Sequence, residues 1–201
     1  QSQNPANTLA KIVRITTDGQ PARDNAATTG QTSWNPAVWA IGLRNVQGAA
    51  LHPQTGRLWV SNHGPRGGDG LYAVSPGENY GWPLISWGTH YDGRSVNGGL
   101  REREGLVQPL THWTPSIAPS GLTFYTADLM PAWTGSAFSG ALAGRMLVRL
   151  VLDGERVVRQ ERLLTDLGHR FRDVQQGPDG ALWLLTDARD GALLRLAPPG
   201  R

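Results

Sequence analysis

One strand pattern recurs along this chain and limits what it can fold into. Lys11-Ile12-Val13-Arg14-Ile15-Thr16-Thr17-Asp18-Gly19 matches Met146-Leu147-Val148-Arg149-Leu150-Val151-Leu152-Asp153-Gly154, and the pattern returns at Ala192-Leu193-Leu194-Arg195-Leu196-Ala197-Pro198-Pro199-Gly200. Gly70-Leu71-Tyr72-Ala73-Val74-Ser75-Pro76-Gly77 is a weaker copy. A second element precedes two of the copies: Pro53-Gln54-Thr55-Gly56-Arg57-Leu58-Trp59-Val60 parallels Pro178-Asp179-Gly180-Ala181-Leu182-Trp183-Leu184. Both read as a turn, a glycine and a strand carrying Leu-Trp. Each unit is thus a turn-joined antiparallel hairpin that ends in an Arg-Leu type strand. Repeated four-stranded sheets of about 40–50 residues predict β-propeller blades, with a plain antiparallel sandwich as the alternative.

Complete units are expected at about 37–75, 120–163 and 170–197, with an insertion over 76–119. The strand at 11–17 reads as the end of a further blade. The expectation is a single all-β domain over 1–201, a partial propeller of about three blades plus one strand. Closed propellers have about four to eight blades. A three-blade arc leaves sheet edges exposed. The sequence therefore predicts that further blades precede it or that a second copy completes the ring.

Composition agrees with many short strands and turns: the chain has 26 Gly and 14 Pro in 201 residues. Hydrophobic residues are 39% and charged ones 17%, enough apolar material for a core and too little charge for a disordered tail. No apolar run approaches the roughly 18 residues of a membrane helix, so no membrane span is expected. Cysteine is absent, which excludes disulfides, zinc–thiolate sites, iron–sulfur clusters and a cysteine nucleophile. The opening Gln1-Ser2-Gln3-Asn4-Pro5 has no basic or apolar signal region. Net charge is +3, but the arginines are scattered singly, which argues against a nucleic-acid partner.

Three loops can carry chemistry. In Gly42-Leu43-Arg44-Asn45-Val46-Gln47-Gly48, adjacent Arg44 and Asn45 can bind a carboxylate and a carbonyl, or simply close a turn. In Asn62-His63-Gly64-Pro65-Arg66-Gly67-Gly68-Asp69-Gly70, the carbonyls of Gly64 and Pro65 can ligate a hard cation such as calcium. His63 there is read as a structural or solvent-facing residue. In Gly168-His169-Arg170-Phe171-Arg172-Asp173, an extended backbone puts Arg170 and Arg172 on one face, as a site for a polycarboxylate or as a surface salt-bridge ladder. Asp173 falls on the opposite face. Trp59 and Trp183 read as packing residues, whereas Trp82, Trp87 and Trp113 lie in loops where they can stack on a planar cofactor or a sugar ring. No Gly-x-Ser-x-Gly elbow, His-Glu-x-x-His pair or dinucleotide fingerprint is present.

Several of these segments, in this order, resemble the soluble quinoprotein glucose/sorbosone dehydrogenases of the aldose sugar dehydrogenase type. They are Gly42 to Gly48, Gly64-Pro65-Arg66-Gly67-Gly68-Asp69, Glu78-Asn79-Tyr80-Gly81-Trp82-Pro83, Pro115-Ser116-Ile117-Ala118-Pro119-Ser120-Gly121 and Arg170-Phe171-Arg172-Asp173-Val174. The resemblance implies a six-bladed propeller of which this chain is the C-terminal half. It also implies pyrroloquinoline quinone and calcium as cofactors, aldose oxidation at the anomeric carbon, an external electron acceptor, and a periplasmic or secreted location. It assigns Arg44, Asn45, Arg170, Arg172, Ser116 and Ala118 to the cofactor. Gly64 and Pro65 are assigned to calcium, and Tyr80 to a structural calcium. The family's histidine base sits in a Tyr-Gly-x-His-x-Gly-Gly motif that this sequence lacks, so no catalytic residue is assigned. Ala143 stands where some members carry a cofactor-binding lysine, and Gly70 where some carry an acidic calcium ligand. The alternative is a non-catalytic propeller fragment or a self-assembling half-propeller.

Overall fold

The computed structural model describes residues 1–25 and 30–200. Its strands are β1 (Ile12–Val13), β2 (Val38–Ala40), β3 (Val46–Leu51), β4 (Leu58–Asn62), β5 (Asp69–Val74), β6 (Thr111–Trp113), β7 (Pro119–Phe124), β8 (Ala137–Ala141), β9 (Met146–Asp153), β10 (Arg156–Leu163), β11 (Phe171–Gln176), β12 (Leu182–Thr186) and β13 (Leu193–Leu196). Among the described residues there is no α-helix, only short 3-10 turns at Val96–Gly99, Pro131–Trp133 and Thr165–Leu167. The sheets have the orders β1-β2, β3-β4-β5-β6, β10-β9-β8-β7 and β11-β12-β13. Neighbours in sequence are neighbours in each sheet, an up-and-down order.

The β9–β10 hairpin shows how sequence sets register. Asp153 pairs with Arg156, leaving Gly154 and Glu155 as the turn. Gly154 sits at φ +58°, a left-handed conformation that glycine adopts without strain. Met146 to Leu150 are all buried, as befits a central strand. β10 is mostly exposed and carries Arg156, Arg159, Glu161 and Arg162, charges that blunt a sheet edge.

Pairing departs from the sequence units in one region. β2 pairs with β1 rather than standing at the head of a 37–75 unit, with Ile12 opposite Ala40. β6, from within the 76–119 segment, returns to pair with β5, setting Trp113 opposite Asp69. The Leu110 amide donating to the Leu71 carbonyl at 2.8 Å leads β6 into that register. Neither pairing has a local signal, because each partner is more than 20 residues away.

The chain forms two compact units. The first holds Gln1–Val46 and Asn62–Pro115, with Val38, Leu43, Leu71, Val74, Tyr80 and Val96 buried. The second holds Gln47–Ser61 and Ser116–Arg201. Its core packs Tyr125, Phe138, Leu147, Phe171, Val174, Leu182 and Leu184. Trp59 is fully buried there, 5.3 Å from Phe124 and 5.4 Å from His52 between ring centroids, while Trp183 donates its indole N–H to Asp179.

Candidate functional site

In the first unit the turn before β3 is held by Asn62. Its buried amide oxygen accepts from the backbone N–H of Arg44 at 3.0 Å and of Asn45 at 2.8 Å. That fork fixes the Arg44–Asn45 turn and aims the Arg44 side chain across the Gly-rich loop. Arg44 Nη1 donates to the Gly64 carbonyl at 2.8 Å. Its guanidinium carbon lies 5.5 Å from the centre of the Trp82 ring and 5.9 Å from that of Tyr91. Behind the loop, the fully buried Asp69 accepts from the Gly64 N–H at 2.9 Å. Arg44, Gly64 and Trp82 also line a cavity of about 20 Å³, room for roughly one water.

Tyr80 is 2% exposed. Its hydroxyl donates to the Ala73 carbonyl and accepts from the Ser75 N–H, both at 2.9 Å. In this arrangement it ties the end of β5 to the following loop. Close by, burial and then the neighbouring Tyr80 push the Tyr72 phenol upward. His63 donates its backbone N–H to the Asn45 carbonyl at 2.9 Å. Trp87 stacks on His112 at 4.1 Å, with the Arg101 guanidinium 5.2 Å from the Trp87 ring centre. Thus Trp82 and Trp87 have aromatic or cationic neighbours within the unit, and Trp113 is 7% exposed.

The second unit holds the arginine pair. Arg170 and Arg172 flank Phe171, whose ring is fully buried, so both guanidinium groups leave on the opposite face of β11. They meet at one carboxylate. Arg170 gives Nε and Nη2 to Asp187 Oδ2 at 2.9 and 2.6 Å, and Arg172 Nη2 lies 3.3 Å from Oδ1. Asp187 is placed by the sheet itself, its backbone N–H donating to the Arg170 carbonyl at 2.8 Å. Hydrogen bonds from Arg170 and then Arg172 hold the Asp187 carboxyl below the usual carboxylate range. Arg172 Nη1 also reaches Gln47 at 3.5 Å, and Arg172 lines a cleft of about 330 Å³ with Gln47, Gly121, Asp173 and Gln175.

Ser116 and Ala118 lie in the turn before β7. The Ser116 hydroxyl accepts from the Ala118 N–H at 3.3 Å. Ala118 is held at φ +51°, and its carbonyl accepts from Leu142 at 2.9 Å. The Leu142 carbonyl in turn lies 3.5 Å from Arg170 Nη1, which links this turn to the arginine pair.

The structure thus gathers Arg44 and Asn45 with Gly64 in one unit, and Arg170 and Arg172 with the Ser116–Ala118 turn in the other. Sequence reasoning missed Asn62, Asp69 and Asp187 as partners. Asn62 and Asp69 bracket the Gly-rich loop, so their position was a usable signal. Asp187 had none, because its partners lie 15 and 17 residues earlier across a strand.

The blade-like sheets and the loops at their ends define an all-β protein of the β-propeller class, and similarity to known proteins agrees. Residues 1–195 match the Glucose / Sorbosone dehydrogenase family, so the chain belongs to that family. It is 40% identical over 189 residues to the aldose sugar dehydrogenase YliI of Escherichia coli strain K12, covering 94% of this chain and 51% of that protein. A glucose dehydrogenase crystal structure superposes with a TM-score of 0.93 at 47% identity, covering 98% of this chain and 57% of the other. The PQQ-bound aldose sugar dehydrogenase of Streptomyces coelicolor superposes with a TM-score of 0.74 at 31% identity, covering 98% and 54%. The chain spans about half the length of the curated relatives it matches.

Proposed function

We propose that this chain serves a pyrroloquinoline quinone-dependent aldose dehydrogenase, which oxidises the anomeric hydroxyl of a sugar to the lactone and passes electrons to an external acceptor. The observation that carries the reading is the Arg170–Arg172 pair, which already holds one carboxylate beside an open cleft. Two guanidinium groups converging on carboxylate oxygens are the donor set that a polycarboxylate cofactor requires. Family membership adds sugar oxidation as the reaction class. A periplasmic or secreted location belongs to the same proposal.

When bound, the quinone supplies the redox chemistry, and the protein supplies position and charge. In this reading Arg170 and Arg172 bind cofactor carboxylates through donors that Asp187 leaves open. Arg170 Nη1 has only a long contact to Leu142. Asp187 keeps both side chains turned to one face. The Ser116–Ala118 turn shapes the wall beside them. Arg44 and Asn45, held by Asn62, present a guanidinium and an amide to the quinone side. The Gly64 and Pro65 carbonyls are hard oxygen donors suited to calcium, although the Gly64 oxygen already accepts from Arg44 as the loop stands. The Tyr80 hydroxyl is engaged by the backbone of Ala73 and Ser75, so a structural calcium at Tyr80 would draw on its main-chain carbonyl.

The test is a titration of the chain with pyrroloquinoline quinone, with and without calcium, following tryptophan fluorescence, alongside a dye-linked aldose oxidation assay. Saturable quenching that weakens at least tenfold in Arg172→Gln, with thermal stability retained, is the expected result. Absence of quenching under all conditions would sink the reading and favour a non-catalytic propeller fragment.

A further inference from the structure

The regular alternation of β11 breaks at Arg172. Phe171 pairs with Thr186 and Asp173 with Leu185, so two steps along β11 answer one along β12. Arg172 is the extra residue of a β-bulge, and a bulge re-aims the side chains around it. Strict alternation puts Asp173 on the face opposite Arg172, whereas the bulge leaves both residues lining one cleft. Gly121 on β7 makes room for the carboxylate, because a Cβ there would collide with Asp173 Oδ1. That oxygen is held by its own strand. It accepts from the Val174 N–H at 2.8 Å and lies 3.4 Å from Gln175 Nε2. Among the described residues Asp173 Oδ2 accepts no hydrogen bond and Asp173 forms no ion pair, while Arg172 turns its Nη2 to Asp187.

We infer that this cleft is a seat for a neutral polyhydroxyl ring, a sugar, with Asp173 as its anchor. The lining carries one positive and one negative charge, Arg172 and Asp173, so an anion or a cation meets a like charge as well as an opposite one. An apolar ligand would strip water from a carboxylate and two amides and offer them no partner. A hydroxyl both donates and accepts. Neighbouring hydroxyls of one ring therefore satisfy the acceptor-only carboxylate and the amides of Gln47 and Gln175 together. Those that donate to Asp173 Oδ2 make charge-assisted hydrogen bonds. Leu185, 45% exposed, gives an apolar wall for the C–H groups of the ring. The volume of about 330 Å³ falls in the range of small-ligand sites. Arg172 stays with Asp187 and contributes only its charge, so its donors remain with the cofactor carboxylates proposed for them. Such a seat deepens the proposed aldose dehydrogenase, on which its standing as a substrate site rests, but its own chemistry calls on neither quinone nor cation.

Glucose binding to the full chain, with no quinone or metal added, tests this by ligand-observed NMR in wild type, Asp173→Asn and Gln175→Met. Asparagine keeps an oxygen for the Val174 N–H and removes the charge. Gln175 is exposed, so Gln175→Met spares the fold and carries the comparison if Asp173→Asn does not fold. Wild type is expected to bind glucose saturably, and more tightly than gluconate or glucosamine. Asp173→Asn is expected to bind glucose about tenfold more weakly at an unchanged melting temperature, the effect of losing one charge-assisted hydrogen bond. Gln175→Met is expected to weaken binding by a smaller factor. No saturable binding by wild type overturns the seat, and so does equal binding by wild type and both variants. Tighter binding of gluconate or glucosamine than of glucose overturns its neutral character. Quinone quenching in a chain that ignores glucose removes the seat and spares the cofactor reading, and glucose binding in a chain that ignores the quinone does the reverse.

Discussion

His112 is the residue whose surroundings most clearly couple charge to stability. It stacks on Trp87, its Nδ1 is buried without a hydrogen-bond partner, and Arg101 is close by. Desolvation first, and the Arg101 charge second, lower its pKa from the ordinary 6.5. The unfolded chain therefore binds more protons than the native one between that lowered value and 6.5, so native stability falls as pH drops through this window. His112→Phe keeps the stacking surface and removes the proton. Thermal melts at pH 8, 6 and 5 are expected to show wild type losing ground to the variant below about pH 6.5. Parallel pH profiles would show that the stack is not charge-sensitive. Asp187 runs the other way. Its carboxyl is lowered by Arg170 and then Arg172, so its contribution is present above the ordinary carboxylate value of 3.8 and is lost as pH falls through the lowered one. Asp187→Asn is expected to differ from wild type by a small, constant melting shift at neutral pH, and the difference should close only in strong acid. At this scale the sequence was informative where partners are near in the chain. Arg44, Asn45 and Gly64 stand out in Gly-rich loops, and Arg170 and Arg172 share a strand face by alternation. The contacts of Arg44 with Gly64 and Tyr91, of Asn45 with Asn62, and of both strand arginines with Asp187 are tertiary facts that no spacing encodes.

At the scale of elements, glycines mark where strands approach each other too closely for a side chain. A Cβ on Gly48 in β3 would lie 2.3 Å from the Ser120 carbonyl oxygen, and one on Gly140 in β8 would lie 2.9 Å from the Phe171 carbonyl oxygen. Ser61 and Ser120 reinforce the same approach, their hydroxyls donating at 2.7 Å to the carbonyls of Ser120 and Phe171. Backbone atoms cannot swing aside as a flexible side chain can, so Gly48→Ala is expected to cost about 1–3 kcal/mol by overpacking. Chemical denaturation measures this, and an unchanged midpoint would mean that the strands can slide apart. Phe138→Ala, in the core of the same unit, is expected to cost about 3–5 kcal/mol. The repeat that made these strands legible is the Arg-Leu motif of β9 and β13 and the Leu-Trp of β4 and β12. The short strands β2 and β6 escaped it. Three residues are too few to show a period, and Pro109 and Pro115 on either side of β6 read locally as loop.

Over the whole molecule, the decisive feature is how the two units share one chain. The path runs from the first unit into the second at Val46–Gln47, returns at Ser61–Asn62 and leaves again at Pro115–Ser116. No single cut can separate them. A chain ending at Pro115 keeps every residue of the first unit but strands Gln47–Ser61 without its own partners. Trp59 and His52 lose Phe124, and Ser61 loses the Ser120 carbonyl. Thr55 and Arg57 lose Glu155, which they hold at 3.0 and 2.9 Å. Burying a tryptophan contributes several kcal/mol at roughly 25 cal/mol per Å², and that term vanishes when its cover is gone. The shortened chain is therefore expected to expose apolar surface, bind a hydrophobic dye and lose the near-ultraviolet dichroism of Trp59. A chain covering 116–201 is expected to fail similarly, for want of β3 and β4. Mixing the two pieces supplies the missing contacts, because each then meets the residues its own chain lacks. Recovery of the dichroism on mixing, with loss in either piece alone, would show that folding is one event spread over both units. A 1–115 piece that melts cooperatively by itself would show instead that the first unit is stable while its inserted strands hang free.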